Sequence, residues 1–124
     1  MKGDGYDLGN SMFELIYNRL KVSGFDVYSI GQHEGICNSP YVVIKEDGEN
    51  VLSGASVSSA VISIIIFYPI GRYSEVSEYI FNVRKCLCGL DWLKSTGELT
   101  GFAIDHNVRA YSCTIFYEVY KRRA

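Results

Sequence analysis

Residues 59–68, which read SAVISIIIFY, constrain the fold more than any other stretch, because nowhere else do so many β-branched residues stand together. A helix needs about 20 residues to cross a bilayer, so this run is too short, and its Val and Ile content favours a pleated backbone. The segment therefore predicts a buried, central β-strand. Its even positions are uniformly apolar or aromatic and predict a core-facing side, whereas its odd positions mix hydroxyls with large hydrophobic side chains.

Two amphipathic helices are predicted from apolar residues that recur at spacings of three and four. The first covers about residues 11–23, because Ser11 opens a capping box and Gly24 is a natural residue to follow the helix end. The second begins at Ser74 and ends near Gly89, with acidic residues in its first turn and basic residues towards its end. Each helix therefore has one apolar side that must be buried.

The part of the chain between the first helix and the central strand predicts one more strand. Residues 24–40 are predicted to be a connecting segment, because glycines and an Asn-Ser-Pro group interrupt the pattern. A short strand at 41–45 follows and ends at an Asp-Gly turn. Residues 49–56 contain small polar residues and a glycine, so we expect a loop that projects from the sheet.

The C-terminal part predicts an antiparallel hairpin. A strand at residues 99–104 is followed by a turn at Asp105, His106 and Asn107, and then by a strand from residue 108 to about residue 121. The last strand repeats the alternation of the central one, with its odd positions more apolar. The order of elements is therefore α-β-β-α-β-β.

This order predicts a single α+β domain over residues 1–124, in which two helices pack on a mostly antiparallel, four-stranded sheet. A chain of 124 residues buries roughly two-thirds of the surface that it exposes when unfolded, so it needs no disulfide or metal to hold a core. Residues 1–10 are predicted to be a flexible N-terminus and residues 122–124 a basic tail.

Charge, the N-terminus and the cysteines exclude several classes of function. A net charge of −2 gives no electrostatic basis for tight nucleic-acid binding. The first ten residues lack the apolar stretch of a secretory signal, so we expect a protein that is made and kept inside a cell and has no membrane partner. Cys86 and Cys88 are two residues apart on a predicted helix, and Cys37 and Cys113 are distant in sequence, which predicts four reduced thiols and no zinc site.

The sequence contains no recognised catalytic motif: G-x-G-x-x-G, the P-loop, G-x-S-x-G and H-E-x-x-H are all missing. Glu75 and Glu78 share one helix face, but such a pair is typical of a solvated first turn. His33 and His106 fall in predicted loops, where turn chemistry explains them. We therefore expect no catalytic residue, cofactor or metal, although a small intracellular α+β binding module or an enzyme of unknown substrate remains an alternative.

The second face of the predicted sheet has a packing problem. Four strands at about 4.8 Å spacing make a sheet roughly 19 Å wide, and two helices about 10 Å apart cover only one side of it. Contiguous apolar residues on the other side usually mark an interface. The alternative is that the helices lie on opposite faces and complete a monomer. We expect a subunit interface formed by Val61, Ile65, Phe67 and, if the register allows, Phe116 and Tyr120.

The order of these features resembles the tail-terminator proteins of long-tailed bacteriophages and prophages, which complete the tail and join it to the head. An N-terminal helix is followed by the residues PYVVI at 40–44 and by a long hydrophobic strand that ends in the aromatic residue Tyr68. Gly71, Arg72 and Glu75 then give a G-R-x-x-E pattern that opens the second helix, and a hairpin closes the chain. The resemblance covers nearly the whole chain and rests on the order of the motifs and on the length.

The resemblance implies a structural virion protein without catalysis or cofactor. Such a protein assembles in the host cytoplasm as a homo-oligomeric ring, typically a hexamer, and stops growth of the tail tube. At the head–tail junction it contacts tail-tube and head-connector proteins. The resemblance also implies that the loop after the 41–45 strand contacts these partners, with Asp47, Gly48, Glu49 and Asn50 as the contact residues.

Overall fold

A computed structural model describes residues 12–51 and 57–122 of the chain. The predicted flexible segment 1–10, the helix-capping residue Ser11 and residues 52–56 of the predicted projecting loop lie outside these ranges. So does the predicted basic tail apart from Arg122, which is the last residue of a strand.

The described residues form two helices and six strands. In chain order they are α1 Met12–Val22, β1 Val27–Ser29, β2 Tyr41–Val51, β3 Val57–Pro69, α2 Val76–Leu87, β4 Lys94–Leu99, β5 Ala103–Asp105 and β6 Ala110–Arg122, with a 3₁₀ turn at Tyr73–Glu75 before α2. The α+β class with two helices is confirmed, whereas the sheet is mixed and has six strands instead of the predicted four. Neither helix in these ranges is long and apolar enough to span a membrane.

The predicted central strand is β3, and it does lie in the middle of the sheet. The strands are ordered β1-β2-β3-β6-β4, and β5 also pairs with β6. β3 pairs antiparallel with β2 on one side and with β6 on the other, so that Ile64 stands between Ile44 and Ile115. β1 departs from the antiparallel pattern, because it runs parallel to β2 at the edge of the sheet.

Both helices pack on the same face of the sheet, which we call the inner face. The even residues of β3 and the odd residues of β6 point to this face, as their alternation predicts, and both helices contribute to the same buried cluster. Its fully buried members include Ile16 and Leu20 of α1 and Val83 and Leu87 of α2. The alternative in which the helices cover opposite faces is therefore wrong.

The helix ends differ in how well the sequence predicts them. Gly24 follows α1 with a φ of +98°, a left-handed value that glycine adopts without strain, and it ends the helix as predicted. Ser74 does not cap α2, because it lies within the 3₁₀ turn, and the helix begins behind Glu75 without a side-chain cap. Glu75 instead accepts a hydrogen bond from the Tyr68 hydroxyl at 2.6 Å and pairs with Arg72 at 3.3 Å.

Gly89 directly follows the C-cap residue Cys88 of α2, the position predicted for it, and it also has a packing role. α2 ends at Leu87, and a Cβ at residue 89 would overlap the guanidinium of Arg19 from α1. Arg19 Nε donates a hydrogen bond to the carbonyl oxygen of Cys86 at 3.0 Å. This contact satisfies a carbonyl at the end of α2 and joins the two helices.

Three strand predictions need correction. The connecting segment 24–40 contains β1. β2 does not end at the Asp-Gly pair but continues to Val51 through a bulge after Glu46, where Gly48 has a φ of +108°. The single strand predicted at 99–104 is replaced by β4 and β5, both paired with β6. β4 is exposed on both sides, so its sequence KSTGEL has no alternation that would reveal it.

The four cysteines are free thiols in different environments. Cys37 and Cys113 are buried, Cys86 is partly buried and Cys88 is exposed. Burial raises the pKa of Cys37, and it raises the pKa of Cys113 to about 11. The buried thiols are therefore both inaccessible and protonated near neutral pH.

Because the thiolate is the nucleophile, we expect iodoacetamide near neutral pH to modify Cys88 first and Cys86 more slowly. Cys37 and Cys113 should react only after denaturation. Peptide mass spectrometry at timed intervals measures this order. Rapid modification of Cys113 in the native protein would contradict the packing, and fewer than four alkylated thiols after denaturation without reductant would contradict the reduced state.

Candidate functional site

The sheet face turned away from the helices, here called the outer face, carries most of the residues predicted to form a subunit interface. Val61, Ile65 and Phe67 alternate with the core residues of β3, and each is half-buried. Phe116 of the neighbouring strand β6 pairs with Ser63, so its side chain lies on the same face. Along the strand direction it is level with a point between Val61 and Ile65. The register thus brings four of the five predicted interface residues together.

One end of the outer face is covered by the chain itself. The ring of His33 stacks on Tyr41 with a centroid distance of 3.9 Å, and Tyr41 stacks on Phe67 at 4.8 Å. Tyr28 meets His33 and Tyr41 edge-on, and Cys37 is buried against Tyr41. His33 lies in a loop as predicted, but its side chain is half-buried, because the segment after β1 folds back on the sheet.

The residues predicted to contact virion partners lie in β2 and not in a loop. Asp47 and Gly48 form its bulge, and the backbones of Glu49 and Asn50 pair with β3. The side chains of Glu49 and Asn50 lie outside the described part of the structure. The same is true of the side chain of Tyr120, the fifth predicted interface residue, whose backbone continues the β3–β6 ladder.

Asp47 links β2 to the outer face. Its carboxylate accepts a hydrogen bond from the hydroxyl of Ser63 and pairs with Lys45 Nζ at 3.4 Å. Ser63 is only 4% exposed, and a buried hydroxyl of this kind requires a hydrogen-bond partner. The two groups of residues predicted separately, in β3 and in β2, are therefore parts of one surface.

The outer face can act as a contact surface. A cleft of about 300 Å³ runs over it and is lined in part by Ile65, Phe67 and Tyr41. Burial raises the pKa of Tyr41 to about 12 and also raises that of Cys37, so neither group is ionised near neutral pH. Within residues 12–51 and 57–122, no three His, Cys, Asp or Glu side chains come together as metal ligands would.

A second apolar surface, which the sequence reasoning missed, lies near the start of β6. Tyr73 packs edge-on against Phe102 at 5.4 Å and against Tyr111 at 5.2 Å. Ile70 and Ile104 beside them are 45% and 49% exposed. The alternation of Phe102 and Ile104 is the signal available in the sequence, but it predicts a strand with one buried side, whereas both side chains are exposed.

Comparison of the chain with protein-family models and with curated proteins finds no match in either. The resemblance to phage tail-terminator proteins therefore rests on the order of the motifs and on the length of the chain.

Proposed function

We propose that this protein is a structural component of a phage or prophage virion, which forms a homo-oligomeric ring of six copies at the end of the tail and joins the tail to the head connector. The observation that carries the proposal is the outer face. Both helices pack on the inner face, and among the described elements no helix lies over Val61, Ile65 and Phe116. In the ring, a neighbouring copy covers them.

The free energy of side-chain burial and the area of a standard interface indicate how much of the interface these residues supply. Full burial of a large apolar side chain is worth about 1.5–3 kcal/mol, and a standard interface buries about 800 Å² on each partner. Because the interface residues of the outer face are already half-buried, they can contribute only part of that energy. The interface therefore extends beyond them, and the apolar surface around Tyr73 and Phe102 is an additional area.

The proposal assigns the contacts with tail-tube and head-connector proteins to the region where β2 approaches β3. Asp47, Gly48, Glu49 and Asn50 belong to this region. It assigns no catalytic step to the protein, and the raised pKa values of Cys37 and Tyr41 mean that these two groups are protonated, and so poor nucleophiles, near neutral pH.

A second candidate function is a small binding module, and the outer-face cleft is the observation that favours it. Its volume of about 300 Å³ lies at the lower limit of clefts that hold small molecules, which is roughly 300 Å³. A binding module of this kind works as a monomer. The two functions therefore differ in whether the outer face meets another protein chain.

Negative-stain electron microscopy of the purified protein tests the proposal. We expect ring-shaped particles of uniform diameter with a central opening. Particles no larger than a single 13.9 kDa chain, at every concentration examined, would favour the binding module instead.

A further inference from the structure

A second cleft, of about 420 Å³, lies between the C-terminal end of α2 and the edge strand β4. We call it the Arg84 cleft. Of its lining residues, those that matter here are Arg84, Asp91, Lys94, Ser95 and Tyr117. It is separate from the outer face, because Arg84 belongs to α2 and Tyr117 points to the inner face of the sheet.

Arg84 gives this cleft a positive charge. A guanidinium remains protonated at any pH that the protein meets. Its Nε is buried and has no hydrogen-bond partner among the residues that the structure describes. The charge lies close to the sheet, because it acts on two residues of β6. Burial raises the pKa of Tyr117 and of Cys113, and the positive charge of Arg84 lowers both by a smaller amount. Buried donors are almost always paired, so Arg84 Nε is available to an acceptor that enters the cleft.

The neighbouring groups complete a site for an anion. Burial raises the pKa of Tyr117, so its hydroxyl keeps its proton and can donate. Ser95 Oγ accepts a hydrogen bond from the Gly97 amide at 3.1 Å, which leaves the hydroxyl proton available. Asp91 also lines the cleft, yet Arg84 Nε is unpaired beside it. A carboxylate is the ligand whose charge and planar geometry match a guanidinium.

The densest run of acidic residues in the sequence is on β2, where Glu46, Asp47 and Glu49 fall within four positions. Asp47 is engaged by Lys45 and Ser63, whereas Glu46 is exposed. β1 pairs only with residues 42–44, so the outer edge of β2 beyond them has no partner strand in the described part of the chain.

The acidic run and the Arg84 cleft lie at opposite sides of the sheet. The strand order puts β2 near one edge and β4 at the other. Two different, complementary surfaces on opposite sides of one subunit make head-to-tail contacts, and such contacts close into a ring when the rotation allows. A two-fold dimer would instead need one self-complementary surface.

We propose that the Arg84 cleft binds the carboxylate of Glu46, from β2 of a second copy of this chain. This inference rests on the proposed ring, and it specifies which two surfaces of neighbouring subunits meet besides the outer face. The occupant is a second copy because the complementary charges are both present on this chain, at the two sides that a ring brings together.

Charge reversal tests the inference, with the subunit dissociation constant measured by sedimentation velocity. Glu46→Lys, Arg84→Gln and Ser95→Asp should each weaken association at least about tenfold. Ser95→Asp is included because it adds a negative charge on an exposed strand, and so stays informative if Arg84 variants fold poorly. Glu34→Lys makes the same charge change on an exposed residue elsewhere and should leave association unchanged.

Combining Glu46→Lys with Arg84→Glu should restore at least tenfold of the lost affinity, because the charges are then exchanged across the contact. If the wild-type protein assembles but Arg84→Gln and Ser95→Asp associate as tightly as wild type, the cleft is not occupied, and the ring proposal stands without it. If the single-site changes weaken association and the exchange restores nothing, the two surfaces do not face each other. A wild-type protein that never associates would overturn the ring and this contact together.

Discussion

Replacing Ile65 with lysine is expected to convert the assembled protein into folded monomers. Ile65 lies on the outer face between Val43 and Thr114 and is half-buried within its own chain, so a lysine there can extend into water in a monomer. In the proposed ring the same ammonium would be buried without a counter-charge, which costs on the order of several kcal/mol. The association constant should therefore fall by at least about a hundredfold.

Light scattering after size exclusion measures the mass of Ile65→Lys, and circular dichroism measures its fold. We expect wild-type secondary structure at the mass of one chain. Glu78→Lys, an exposed change on α2, is the matched control and should still assemble. If the wild-type protein is already monomeric and Ile65→Lys unfolds, the outer face belongs to the monomer's own core.

Truncating the adjacent residue, Ile64→Ala, is expected to act on folding and not on assembly. Ile64 is completely buried on the inner face between Ile44 and Ile115. Removing three carbons from such a site leaves a cavity and lowers the free energy of unfolding by about 2–5 kcal/mol. Ile65→Ala, one residue along the same strand, should lower it by less, because its side chain is only half-buried.

Urea unfolding of dilute, monomeric samples measures the free energy of unfolding of both variants. Because both replace an isoleucine of the same strand with alanine, the difference between them is free of the change in strand propensity. Equal destabilisation by the two truncations would contradict the division of β3 into an inner and an outer face.

The core of this fold was predictable because half-buried strands leave a period of two in the sequence. The even positions of β3 and the odd positions of β6 are buried as their alternation indicates. β1 and β4 left no such pattern, since β1 has three residues and β4 is exposed on both sides. The residue type of Ser74 predicts a helix cap. In the structure Ser74 lies in a 3₁₀ turn, and the next residue, Glu75, contacts Tyr68 and Arg72.

The candidate site was predictable only in part, because it depends on register and on long-range contacts. That Val61, Ile65 and Phe67 share a face follows from the sequence, whereas the position of Phe116 between them depends on the pairing of Ser63 with Phe116. The stack of His33 on Tyr41 joins residues that the local pattern assigns to separate elements.

The role of Arg84 is a further example. Its place near the end of α2 predicts a charge that complements the helix dipole. Its place in a cleft depends on β4, which the sequence pattern does not reveal.

The most direct measurement of the central claim is the mass of the native wild-type particle. Native mass spectrometry over a range of protein concentrations distinguishes a ring from a monomer, because every assembly has a whole-number multiple of the 13.9 kDa chain mass. We expect one dominant species at six times that mass. A spectrum that contains only the single-chain mass at the highest concentration would contradict it.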